Sequence, residues 1–396
     1  MAIKKTISQK AMVSGLVMTF LLLFVSAFSF ASELDEIRAA IKEKNAKWIA
    51  GETSVSKLPP EHRKVRLGLI KPKVTDAEKF ISVETPLLGL SASLDWRHNP
   101  DNYVTSVRDQ GNCGSCWAFA TTGALESYTL IKNNQPNTYD LAEQILVSCS
   151  HAGNCGGGYI DRASDFISDT GLPEESCYPY TATNGNCRKA CKDWRLNTDR
   201  IDSWFYVATT SPTVDAIKNA LYVYGPLVTT MDVYTDFIYY TGGIYSYTSG
   251  SYEGGHAILI IGYDDTYHYF IAKNSWGNGW GEGGFFNIAY SQIGYPVEFG
   301  YWSIAYHQEA TCTYSISPTN RSFTAAGGSG TINVTADANC SWTAVSNASW
   351  ITITSGSSGI GDGSVEYSVA PNRRKKTRTG TITVAGQPFT VKQNGL

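Results

Sequence analysis

An odd number of cysteines behind an export signal constrains this chain more than any other feature. The cysteines stand at 113, 116, 149, 155, 177, 187, 191, 312 and 340. Ahead of them Lys4, Lys5 and Lys10 lead into an apolar run from about Met12 to Phe30, closed by Ser29-Phe30-Ala31. Charge, then apolar core, then small-x-small is the order of a secretory leader, and it predicts cleavage after Ala31 and a secreted, periplasmic or cell-surface location. An uncleaved anchor is the alternative reading, because the run approaches the ~18 residues that span a bilayer. No later segment is long and apolar enough to span, so no membrane span is expected once the leader is gone. An exported chain meets an oxidising compartment that bridges its thiols, and an odd count leaves one over.

At 396 residues the chain is too long for one ordinary core. Residues 32–90 are rich in Lys, Glu and Ala, carry no cysteine, and place Ile37, Ile41, Trp48 and Ile49 at roughly helical spacing. Residues 91–310 are mixed: Cys116 to Lys132 reads as a helix, whereas Ala257 to Tyr263, Tyr269 to Ala272 and Phe285 to Ala289 read as short strands. Helix early and strands late make an α+β domain. Residues 311–396 alternate apolar and polar in Thr331–Thr335, Val365–Val369, Thr379–Val384 and Phe389–Gln393, with Gly/Ser clusters between. That pattern predicts an all-β sandwich. In it Trp342 and Trp350 are read as core rather than a sugar platform, and Arg373–Lys376 as a solvated hairpin tip. A net charge of −3 supplies no basic face, so nucleic acid is not an expected partner.

The stretch Gln110-Gly111-Asn112-Cys113-Gly114-Ser115-Cys116-Trp117-Ala118-Phe119 carries the chemistry, with Gly255-His256-Ala257 and Lys273-Asn274-Ser275-Trp276-Gly277 downstream. His256 lies 140 residues and Asn274 158 residues after Cys116. A thiol attacks a carbonyl only as thiolate, and a helix N-terminus together with a nearby imidazolium favours that form. Cys116 opens the expected helix, and that His256 rests beside it as the imidazolium of a thiolate–imidazolium pair is what a family resemblance implies.

In residue type, order and spacing, residues 91 to 308 resemble the papain and cathepsin family of cysteine peptidases. The resemblance implies a two-lobed domain, helical on one side and β-barrel-like on the other, made as a zymogen with residues 32–90 as propeptide. It implies Cys116 as nucleophile, His256 as its acid–base partner, Asn274 as the group that aims the imidazole, and Gln110 with the Cys116 backbone N–H as oxyanion hole. Trp276 would cover the His–Asn bond. Gly157 and Gly158 would hold an extended peptide by its backbone, with Tyr159, Thr230, Gly254 and Ala257 around the second residue before the cut. Six other cysteines before residue 300 permit fifteen pairings from sequence alone; the resemblance implies Cys113–Cys155 and Cys149–Cys187, which leaves Cys177–Cys191, with Cys312–Cys340 in the sandwich and Cys116 free. No metal or cofactor is expected.

The short Ile41–Gly51 segment is similar to cathepsin-B-like pro-regions, yet no His pair follows Cys149 where that branch carries its occluding loop. An open-cleft endopeptidase is therefore expected, acting on protein or peptide substrates as a monomer. Leu94-Asp95-Trp96-Arg97 resembles the mature terminus of the family and predicts activation between about Pro86 and Ser93, the pro-region lying in the cleft until then. Residues 312–393 resemble BACON-like sandwiches, which implies a glycan or mucin partner. Sequons stand at Asn320, Asn333, Asn339 and Asn347. Competing readings are an adhesin with a vestigial peptidase domain, and a peptide ligase using the same acyl-enzyme.

Overall fold

The computed structural model describes residues 32–72, 90–98, 101–135, 139–307, 312–337 and 340–396. The leader with its cut after Ala31, residues 86–89 of the activation stretch, the sequon at Asn339 and the expected 310/311 boundary lie outside the described residues. The chain divides into two compact units, Met1–His307 and Gln308–Leu396.

The first unit begins with α1 (Glu33–Glu43). Ser32 caps it, its side chain accepting from the Asp35 N–H at 3.2 Å, and acidic side chains fill the first turn where the helix dipole favours them. The helical spacing expected to run on to Ile49 stops at Asn45, which takes a left-handed φ of 51°. Trp48 and Ile49 instead alternate on a strand, β1 (Lys47–Ala50), with Trp48 buried and Ile49 66% exposed. A short run of apolar residues fits either period, and sheet pairing decides it here. A single-turn helix, α2 (Pro60–Lys64), follows, then β2 (Ser93–Asp95).

The helical lobe comprises α3 (Cys116–Asn133), α4 (Glu143–Cys149), the small pair β3 (Gly153–Asn154) and β4 (Gly157–Gly158), and α5 (Ile160–Asp169). From Cys116 to Leu130 every residue of α3 is buried, the signature of a helix covered on all sides rather than one facing water. Trp117, Leu125, Ile145 and Ile167 lie in one core with Leu259 and Ile304 from the strands.

The β lobe contains β5 (Ser203–Ala208), α6 (Val214–Tyr224), β6 (Leu227–Tyr234), α7 (Thr235–Ile238), β7 (Tyr240–Tyr245), β8 (Tyr252–Asp264), β9 (Tyr269–Lys273), β10 (Phe285–Ala289) and β11 (Tyr301–His307). Its sheet runs β1-β7-β10-β9-β8-β6-β11-β5, with β2 also paired to β8. The lead-in segment thus supplies one edge strand. Trp48 fixes it there, its ring 5.3 Å from Tyr245 and 6.2 Å from Tyr240, its indole N–H donating to the Ser246 carbonyl at 2.9 Å. Among the described residues no helix is long and apolar enough to cross a membrane.

The second unit is a sandwich. One sheet has the order β12 (Tyr314–Ser317), β14 (Gly328–Ala336), β18 (Gly363–Val369), β16 (Ile351–Ser355); the other runs β13 (Asn320–Phe323), β20 (Gln387–Gln393), β19 (Arg378–Val384), β15 (Ser341–Ser346), β17 (Ser358–Ile360). Alternate residues such as Ile332, Val334, Val365 and Tyr367 turn inward, the period of a strand with one face on a core. Trp342 is buried, and Trp350 is half-buried under the Arg378 guanidinium, 4.1 Å from the ring centroid. Arg373–Lys376 are exposed, but β18 and β19 belong to different sheets. The basic loop is therefore a crossing between sheets and not the hairpin tip expected from sequence.

Candidate active site

Cys116 opens α3 and is buried; it is the free cysteine, because Cys113–Cys155, Cys149–Cys187, Cys177–Cys191 and Cys312–Cys340 are bridged. His256 and Asn274 come from β8 and the residue just past β9. The imidazole Nε2 donates to Asn274 Oδ1 at 2.8 Å, which leaves Nδ1 for other chemistry. Trp276 is 1% exposed and its ring centroid lies 4.8 Å from the imidazole. It covers the imidazole and packs on Phe237 and Trp280. The resemblance gives Trp276 a place both over the His–Asn bond and among the substrate-binding residues; the structure sets it beside the imidazole.

Gln110 is fully buried. Its Oε1 accepts from the Ser275 hydroxyl at 2.7 Å, which aims Nε2 at two carbonyls, those of Cys113 at 2.8 Å and Arg66 at 2.9 Å. The second is a residue of the lead-in segment, held on the Gln110 amide. Beyond the turn at Arg66 the segment crosses the site, bridged to Gly158 at Leu69. The Gly158 N–H donates to the Gly68 carbonyl at 2.9 Å, the Ile70 N–H to the Gly158 carbonyl at 2.9 Å, and the Leu69 N–H to the Gly255 carbonyl at 3.2 Å. Leu69 and Gly158 pair in parallel sense. Gly68 must be glycine: a Cβ there would lie 1.9 Å from the Gly114 carbonyl oxygen. Leu69 packs on the core that contains Ala257 and Ile160.

Of the expected pocket residues, Thr230 and Ala257 are cross-strand partners and buried, and Gly254 lies against Leu67. Tyr159 is on the opposite lobe, capping α5 with Arg162 stacked 4.1 Å over its ring. Gly157 and Gly158 form β4 beneath the lead-in strand.

Burial decides the charge state. It pushes the Cys116 thiol up to about 11, against the opposing pull of backbone groups at Ala257, Gly68 and Trp117. Burial likewise holds His256 down to about 4, with the Asn274 bond working the other way and the Arg66 charge adding to the depression. His256 Nδ1 is buried and makes no hydrogen bond, to Cys116 or any other group. Both shifts favour the neutral thiol and imidazole over the thiolate–imidazolium pair expected from sequence. Desolvation outweighs the helix dipole while the lead-in strand excludes water.

The sequence profile described as papain family cysteine protease matches residues 90–302, over half of the chain. The chain belongs to the papain family of cysteine proteases. A cathepsin L-like proteinase of Fasciola hepatica is 40% identical over 202 residues, 50% of this chain and 59% of that protein. A cathepsin B-like CP3 of Giardia intestinalis is 36% identical over 206 residues, 50% of this chain and 68% of its own. The chain thus spans under two thirds of the Fasciola relative. Among solved structures, the digestive procathepsin L2 proteinase from Tenebrio molitor larval midgut has a TM-score of 0.59 and 28% identity, over 69% of this chain and 88% of that one. A second profile, described as viral BACON domain, matches residues 313–393.

Within this papain-family frame three placements went unread in the sequence. Tyr180 bridges the Ser115 hydroxyl at 2.6 Å and the Gln110 carbonyl at 2.8 Å, pinning Gln110 to the residue before Cys116. Tyr178-Pro179-Tyr180 was the visible signal. Residues 67–70 carry no motif, since their hydrogen bonds to the site are made by backbone. Asp232 and Glu298 are brought together by the Asp232 N–H donating to the Val297 carbonyl at 2.7 Å, a tertiary contact with no local signature.

Proposed function

We propose that this chain is the precursor of a secreted cysteine endopeptidase that cuts peptide bonds through a thioester on Cys116. The observation that carries the reading is the strand from Arg66 to Ile70, which lies over an unbridged buried thiol with its Arg66 carbonyl on Gln110 Nε2. A chain segment held so is a peptide in a peptide site. It runs parallel to Gly158, and its burial of the thiol keeps the nucleophile protonated.

Removal of residues 32–90 readmits water and lets the proton pass from Cys116 Sγ to His256 Nδ1. Sγ then adds to the scissile carbonyl, and the oxyanion is met by Gln110 Nε2 and the Cys116 N–H. One such donor lowers the barrier by about 3 kcal/mol. The C–N bond breaks as His256 gives its proton to the leaving amine. Water, deprotonated by the same imidazole, attacks the thioester carbonyl; C–S cleavage releases the acid and returns the thiol. Asn274 keeps Nε2 engaged throughout, so the ring turns one face to the sulfur.

Leu69 packing beside Ala257 supports a bulky aliphatic residue at the second position before the cut. Secretion by the leader fits four disulfides. The sandwich is a targeting or spacing element, with glycan or mucin as the class of ligand its likeness suggests. The test is Cys116→Ala: cleavage of denatured protein and labelling by a thiol-directed epoxide should both vanish, and undiminished turnover would refute the assignment.

A further inference from the structure

Two residues along the strand from Leu69, Lys71 reaches a pair of carboxylates. Its Nζ donates to Asp232 Oδ2 at 3.0 Å and to Glu298 Oε2 at 2.7 Å. Asp232 belongs to β6 and is 9% exposed, and its second oxygen, Oδ1, is buried with no hydrogen-bond partner. Glu298 follows Val297, whose carbonyl accepts the Asp232 N–H, so backbone fixes the two acids side by side. The Lys71 side chain is 41% exposed. Two carboxylates this close repel and are poorly hydrated, so a cation between them removes a cost that their own fold imposes. Burial already raises the Asp232 carboxyl above its ordinary range, with Lys71 opposing.

Removal of the lead-in segment takes Lys71 away and leaves both acids facing the cleft. We propose that they then form a subsite for a lysine or arginine side chain of the substrate, at the fourth residue before the cut. This rests on the peptidase reading, which puts the second residue before the cut on Gly158 where Leu69 now lies. Side chains of an extended peptide alternate sides, so residues two apart share a side whichever way the chain runs. A substrate laid along the same track presents its fourth residue where Lys71 sits. The chain therefore selects a basic residue at that position and a bulky aliphatic one at the second.

The experiment uses the activated full chain and fluorogenic tetrapeptides with leucine at the second position and lysine, norleucine or glutamate at the fourth. Lysine should exceed norleucine in kcat/KM by about tenfold, the scale of one charge-assisted hydrogen bond at a half-open site, with glutamate poorest. In Asp232→Asn and in Glu298→Gln, checked for folding by thermal melting, the lysine-to-norleucine ratio should fall toward one. Glu298→Gln, at the more open of the two positions, keeps the test available should the buried change unfold the chain. Wild type that cleaves lysine and norleucine peptides equally overturns the subsite alone, as does an undiminished ratio in the folded variants. Wild type that cleaves none of the three overturns the peptidase reading and the subsite together.

Discussion

Gly68→Ala in the intact precursor should unmask Cys116. The added Cβ would sit 1.9 Å from the Gly114 carbonyl oxygen and 2.3 Å from its carbon. That backbone cannot retreat, because Gly114 follows the bridged Cys113 and donates its own N–H to the Cys155 carbonyl at 2.8 Å. The lead-in strand must lift instead. At least the two hydrogen bonds between Gly158 and the strand are then lost, and with the Arg66 and Leu69 bonds the number becomes four. At about 1 kcal/mol net for each, docking weakens by about 2 to 4 kcal/mol, or roughly thirtyfold to a thousandfold in the open population. Labelling of a covered thiol follows that population when reclosing is fast. The assay is the initial labelling rate of Cys116 by a thiol-directed epoxide at neutral pH, with full length verified by mass. A rate unchanged from wild type would refute the claim that residues 66–70 seal the Cys116 thiol.

Asn274→Ala frees His256 Nε2 and should lower kcat of the activated enzyme while retaining substantial activity; steady-state kinetics showing complete indifference would remove its orienting role. Tyr180→Phe deletes the bridge between Ser115 and Gln110 and should lower kcat roughly fivefold, leaving KM nearly unchanged, which the same kinetics reads. Burial raises the Glu175 carboxyl to about 7, against the pull of the Tyr180 N–H that donates to it at 2.6 Å. Its unfolded form ionises first, from about 4.5, so stability should decline as pH rises from there to about 7 and level off beyond. Glu175→Gln should flatten that slope in thermal melts. A chain ending near Ala310 should still hydrolyse small peptides, and loss of that activity in a folded product would tie the sandwich to the site.

Much of this molecule can be read in its residues, for reasons that differ by position. Gln110, Cys116, His256 and Asn274 sit in short stretches whose neighbours are as specific as they are, and the structure gathers Gln110 with Ser275 and His256 with Asn274. Strands of the second unit announce themselves by a two-residue period with one face on a core. Trp48 and Ile49 show where that signal fails: four apolar residues satisfy either period, and only the pairing of β1 with β7 resolves them. The protonation of Cys116 and His256 was illegible for a different reason. Helix dipoles and imidazoles are local, but desolvation depends on what lies above the site, and here that is a strand some fifty residues upstream in sequence.

The pairing of β1 with β7 means that severing the chain near residue 90 does not by itself liberate the N-terminal piece. Lys47 to Ala50 stay zipped along Tyr240 to Ile244, with an indole seated between two tyrosines. On the proposed precursor reading, departure is an event separate from scission. It would leave a naked hydrogen-bonding rim beside a vacated aromatic socket, a surface prone to recruit another extended chain.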